Sequence, residues 1–171
     1  PIKPRNTPPF HLITRIISCA SLTTASLILN SQVSSLDRNM LGEQIAELKG
    51  KMIGQRVLDA EEPTLETSVS ARGTVKGIQV NETLTYVARL TSSGVLHGEG
   101  HGVIMAGESD LAAYSGEGVG RLTSSGTIWH GAIFYRTSST GKLSFLNDVV
   151  GLFEAEVDTE GNFSESIWEW K

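Results

Sequence analysis

Val95-Leu96-His97-Gly98-Glu99-Gly100-His101-Gly102-Val103-Ile104-Met105 runs into Gly107-Glu108-Ser109-Asp110 and is answered by Leu111-Ala112-Ala113-Tyr114-Ser115-Gly116-Glu117-Gly118-Val119-Gly120-Arg121-Leu122. Glycine at alternate positions removes the side chains from one face of a strand, because successive residues of a strand point to opposite faces. A dinucleotide-binding reading fails here, since that fingerprint needs a strand-to-helix turn and no helical pattern follows. With the turn centred near Glu108, the two glycine ladders pair and leave a bare patch on one face of the hairpin. Tyr114, Trp129 and Tyr135 are candidates to lie over it, because aromatic rings often cover strand glycines.

Working outward, the same alternation and the same β-branched composition extend through most of the chain. Eight strands are expected, at about 51–58, 64–76, 78–90, 95–105, 111–122, 127–138, 143–157 and 163–170. Their connectors carry turn chemistry: Glu61-Glu62-Pro63, Ser92-Ser93-Gly94, Ser124-Ser125-Gly126, Thr140-Gly141 and Glu160-Gly161-Asn162. Links this short join antiparallel neighbours, since a parallel crossover needs a dozen or more residues. A meander of eight strands has two open edges unless its first and last strands meet. Closure into a small barrel removes that liability, and an open sandwich is the alternative. Before the first strand, Leu41, Ile45 and Leu48 share a helical spacing, so a short N-terminal helix over 41–49 is expected, ended by Gly50. Arg89-Leu90-Thr91-Ser92-Ser93-Gly94 recurs as Arg121-Leu122-Thr123-Ser124-Ser125-Gly126, which reads as one turn used twice.

The first 39 residues differ in kind. Four of the five prolines fall within the first nine positions, and all 18 glycines lie after residue 40. Residues 1–39 are therefore read as a disordered or helical leader, and 40–171 as the barrel domain. Three origins are open for the leader: an over-extended reading frame with translation beginning at Met40, an export signal, or a genuine extension. Ile16-Ile17-Ser18-Cys19 fits a lipoprotein-type cleavage box, although Arg15 interrupts the apolar run. The domain is placed in the cytoplasm, with export or lipid anchoring through Cys19 as the alternative. Cys19 is the one cysteine, so no internal disulfide is available.

Charge narrows the partners. The leader holds Lys3, Arg5, Arg15 and Arg38 against Asp37 alone, and the remaining ten basic and eighteen acidic residues leave 40–171 at −8. Such a domain repels a phosphate backbone, and no stretch interleaves cations with aromatics, so no nucleic-acid partner is expected. No run of that domain reaches the ~20 apolar residues of a membrane-spanning helix, so no membrane partner is expected either.

The face opposite the bare patch carries His97, Glu99, His101, Ser115, Glu117 and Arg121. His97, Glu99 and His101 point the same way, and such spacing can hold a metal. The spacing arises easily on a strand and no further ligand cluster accompanies it, so the expectation is no metal and no cofactor. If this face lines the barrel, Glu99 or Glu117 is the candidate acid–base group. If it faces water, the interior is apolar and aromatic. Tyr86, Tyr114, Trp129 and Tyr135 are the candidate wall, with His97, Glu99, His101 and Glu117 completing the candidate ligand-binding set. Residues 143–157 alternate apolar side chains on both parities, as a strand buried on both faces would. Trp168 and Trp170 share one face of the last strand, where packing at the barrel seam is expected.

Gly50-Lys51, Gln55-Arg56-Val57-Leu58-Asp59, Glu66-Thr67-Ser68, Gly73-Thr74, the glycine ladders and Arg136-Thr137-Ser138-Ser139-Thr140-Gly141-Lys142-Leu143 form a further pattern. With the ending Phe153-Glu154, Asp158, Gly161-Asn162 and Trp168-Glu169-Trp170-Lys171, it resembles a family of small uncharacterised microbial proteins. The resemblance covers about residues 41–171, and the terminal Trp-Glu-Trp-Lys is its most specific part. It implies an allene-oxide-cyclase-like or lipocalin-like barrel and carries no activity and no catalytic residues with it.

Three functions follow. The first is a barrel that binds a small apolar or amphipathic ligand. The second is a cyclase- or isomerase-like enzyme using a barrel glutamate. The third is a structural or homo-oligomer-forming barrel with a filled core. An interior lined by Glu99 and Glu117 favours chemistry, an open apolar one favours binding, and a plugged one favours structure.

Overall fold

A computed structural model describes residues 42–171, so the expectations for residues 1–39 lie outside the described residues. Eight antiparallel strands follow in chain order: β1 (Gln44–Asp59), β2 (Thr64–Val75), β3 (Ile78–Leu90), β4 (Val95–Ala106), β5 (Asp110–Thr123), β6 (Gly126–Arg136), β7 (Val150–Asp158) and β8 (Asn162–Glu169). Each pairs with the next, and β8 returns to pair with β1 from Gln44↔Trp168 to Lys51↔Asn162, closing the barrel. The meander and its closure are as expected. The shortest turn shows why neighbours are antiparallel: Lys76 (φ 46°) and Gly77 (φ 77°) supply the two left-handed residues of a primed hairpin turn between β2 and β3.

Two expectations are corrected. Residues 44–49 are the start of β1, not a helix. The ladder between β1 and β8 slips between Gln44 and Ala46, a bulge that turns both Ile45 and Ala46 into the core ahead of Leu48. One inserted residue changes the strand's parity, and the resulting apolar spacing imitates one face of a helix. Likewise, the strand expected from 143 begins only at Val150. Ser144–Leu146 form one turn of 3-10 helix, and Leu143 and Leu146 fold inward, fully buried. With Ile45, they fill the barrel end that carries the β2–β3, β4–β5 and β6–β7 connections.

The terminal tryptophans do not pack in the core. Phe163, Glu165 and Ile167 take the inward parity of β8, leaving Trp168 half-buried outside and Trp170 exposed. The repeated turns share a device, since Thr91 bonds Ser93 (2.9 Å) and Thr123 bonds Ser125 (3.1 Å). Their glycines differ, with φ 78° at Gly94 and 149° at Gly126. Among the described residues, no helix is long and apolar enough to cross a membrane.

Candidate functional site

The glycine ladders face inward, and aromatic rings occupy the room they leave. Gly98 meets Gly118 and Gly100 meets Gly116 across the β4–β5 ladder, so bare positions stack beside one another. Trp129 lies across two strands. A Cβ on Gly120 would fall 2.9–3.0 Å from its ring, and one on Gly98 would fall 2.7–3.0 Å from the ring's far edge. The indole therefore packs directly on backbone, and Tyr86 meets it edge-on at 5.5 Å. Tyr114 crosses β4 in the same way, its ring and hydroxyl lying over Gly102. Tyr135 stands edge-on to Tyr114 at 5.5 Å. The expected covering of the bare patch is thus seen for Trp129 and Tyr114.

With the glycines inside, the alternate side chains are outside. His97, Glu99, His101 and Glu117 are all exposed on the outer face. His97, Glu99 and Glu117 share an open depression of about 420 Å³ with Arg89 and His130. Among the described residues, no group of three His, Cys, Asp or Glu side chains could hold a metal ion. Neither Glu99 nor Glu117 presents a carboxyl to the interior, so an acid–base role inside the barrel does not fall to them. Of the eight candidate ligand-binding residues, the interior gathers four: Tyr86, Tyr114, Trp129 and Tyr135.

Two residues not singled out from sequence supply the interior's charge. Glu82 of β3 and Glu165 of β8 are 1% and 5% exposed. The Tyr114 hydroxyl donates a 2.7 Å hydrogen bond to Glu82 Oε1. Glu82 Oε2, Glu165 Oε2 and Tyr135 Oη are buried without a partner. Burial pushes Glu82 from 4.5 up to about 7, and the Tyr114 hydrogen bond offsets part of that rise. Burial, and then the neighbouring Glu82, push Glu165 well above the usual carboxyl range. The phenols of Tyr114 and Tyr135 are raised as well, first by burial and then by the two carboxyls. The signal was present in the sequence: Glu82 shares a parity with Val80, Leu84 and Tyr86, and Glu165 lies between Phe163 and Ile167. A carboxylate on the apolar parity of a strand marks a buried charge.

Beside this cluster, toward the end opposite the Leu143–Leu146 plug, lies a cavity of about 70 Å³. Its wall is the β4–β5 stretch 98–101 and 116–118, which includes Glu99, His101 and Glu117, together with Leu84, Tyr86, Trp129, Ile133, Phe153 and Phe163, and Glu165 and Tyr114 form its polar side. The fold and site together define a closed eight-stranded antiparallel barrel with an aromatic interior and a buried pair of carboxyls. Neither protein-family models, nor curated proteins, nor solved structures provide a match to the chain.

Proposed function

We propose that this is a lipocalin-like or allene-oxide-cyclase-like barrel that binds a small amphipathic molecule in its interior. The observation that carries the reading is Glu165: a buried carboxyl with one unpartnered oxygen, on the wall of an otherwise apolar cavity. A buried polar atom without a partner is costly, and a ligand that satisfies it recovers that cost. The ligand is very small. A cavity of 150 Å³ takes benzene, so about 70 Å³ holds roughly three non-hydrogen atoms. The lone cysteine, Cys19, suits a reducing compartment, which supports a cytoplasmic location for the domain.

The test is a nuclear magnetic resonance titration of the Trp129 indole with two- to four-atom alcohols, aldehydes, amines and acids. Saturable shifts at Trp129 with any class support binding. If no class moves Trp129, the barrel is a filled one with a structural or oligomer-forming role.

One observation favours a second reading, an enzyme of cyclase or isomerase type. A carboxyl whose pKa is raised by burial beside an apolar cavity is the arrangement of a general acid. Glu165 holds that place in the barrel. Glu165→Gln would abolish turnover under this reading, and full turnover in that variant would remove it.

A further inference from the structure

Among the described residues, no cationic side chain meets the buried carboxyls. Every Lys, Arg and His among the described residues is exposed. Buried carboxyls are ordinarily paired with a cation or hydrogen-bonded throughout, because burying an uncompensated charge is expensive. Here Tyr114 meets one oxygen of Glu82, and three buried oxygens around the cluster stay unmet: Glu82 Oε2, Glu165 Oε2 and Tyr135 Oη.

We infer that the interior is a site for a small primary amine in its ammonium form, an alkylammonium of one to three non-hydrogen atoms. An alkylammonium brings N–H donors to the unmet oxygen of Glu165 on the cavity wall and a positive charge to the carboxyl pair that Glu165 forms with Glu82. Its short alkyl part fits the apolar wall, and the rings of Trp129 and Tyr86 add cation–π attraction. Competing chemistries fit less well. An alcohol can donate to Glu165 but has no charge, so it leaves the carboxyl pair uncompensated. A carboxylate is repelled once Glu82 is ionised. Calcium asks for six to eight oxygen ligands and magnesium for near-ideal octahedral coordination, more than Glu165 and Tyr114 offer on the cavity wall.

The inference rests on the cavity being a binding site, as proposed above, and one experiment separates the two. The Trp129 indole resonance of the full chain is titrated at pH 8 and 5.5 with ethylamine hydrochloride, ethanol, sodium acetate and potassium chloride at constant ionic strength. Ethylammonium is expected to bind saturably at pH 8, at least about tenfold tighter than the others, and about tenfold weaker at pH 5.5, because Glu82, raised to about 7 by burial, loses its charge over that interval. Glu165→Gln and Glu82→Gln should each weaken ethylammonium about tenfold or more, and weaken any ethanol binding much less. Ethanol binding as tightly as ethylammonium overturns the amine inference and leaves a neutral binding site standing. Potassium matching ethylammonium overturns it in favour of an inorganic cation. No shift with any probe overturns both readings. If either variant fails to fold, the comparison among probes on the native chain still decides.

Discussion

Tyr114 of β5 reaches across β4 to donate its hydroxyl to Glu82 of β3, a 2.7 Å hydrogen bond that passes over Gly102. The register makes this crossing: Leu84, Gly102 and Tyr114 stand side by side on three successive strands. A side chain at 102 would occupy the space of the phenol. The glycine ladder and the buried carboxyl are therefore parts of one device, in which bare backbone lets an aromatic donor reach a carboxyl two strands away.

Removing that donor should cost stability in a pH-dependent way. Tyr114→Phe leaves a buried oxygen of Glu82 unmet, a loss of about 1–3 kcal/mol. The loss should be larger at pH 8, where Glu82 is ionised, than at pH 5, where it is protonated. Gly102→Ala should reproduce the pH-dependent part by displacing the ring. Urea unfolding at the two pH values measures it, and equal losses at both would show that the hydroxyl does not serve the charged form.

The pair also shapes stability against pH. Glu82 titrates near 4.5 in the unfolded chain and near 7 in the barrel. Between those values the folded state keeps a proton that the unfolded state has released, so stability is full below 4.5 and falls as pH rises through 7. A shift of that size corresponds to about 3 kcal/mol. Glu165 shifts in the same direction and extends the decline. Asp110, Asp158 and Glu169 act oppositely, because hydrogen bonds from Ser139, Asn162 and Lys76 respectively lower them, and their contribution is lost in acid. Maximum stability is expected near pH 4–5, on the order of two units below neutral. Denaturant midpoints from pH 4 to 8 should decline in the native chain and decline less steeply in Glu82→Gln, where Glu165 remains; a native midpoint that rises over this range would contradict the burial of the pair.

The packing of Trp129 gives a third prediction. A methyl group on Gly120 would sit 2.9–3.0 Å from the indole, closer than real contacts allow. The ring cannot retreat without closing the cavity, so Gly120→Ala should destabilise by about 1–3 kcal/mol. Gly54 has nothing within 4 Å of its would-be Cβ, so Gly54→Ala is the matched control. Trp129 is 7% exposed and Trp170 63% exposed, so the quencher-resistant part of the fluorescence belongs mainly to Trp129. That part should diminish in Gly120→Ala and persist in Gly54→Ala.

The barrel was legible because short turn-rich links between alternating runs permit little besides an antiparallel meander, and edge pairing then demands closure. The rings over glycines were legible for the same local reason, since a bare strand face needs covering. The inward face was not legible from 98–102 and 116–120, because glycine carries no hydropathy and the intervening Glu and His suited either side. Its neighbours hold the answer: Ile104 and Ala112 continue the glycine parity and are fully buried. Glu82 and Glu165 went unread although their apolar neighbours mark them as inward. The helical spacing of Ile45 and Leu48 misled because a bulge shifts parity by one residue, which no periodic pattern anticipates.

The plugged end depends on one exposed-side contact. Asp110, at the start of β5, accepts the Ser139 hydroxyl at Oδ1 and the Leu143 amide at Oδ2 (3.1 Å). Ser139 Oγ in turn accepts the Gly141 amide at 2.9 Å, so one carboxylate organises the connection from β6 toward β7. That connection delivers Leu143 and Leu146 into the barrel end, both fully buried. Asp110→Ala should therefore speed amide exchange at Ser139, Gly141 and Leu143, while the amides of the β3–β4 ladder keep their protection. Asp110→Asn retains one carbonyl acceptor and should show a smaller acceleration. Unchanged exchange at Leu143 in Asp110→Ala would mean that the buried leucines, and not the carboxylate, hold the connection in place.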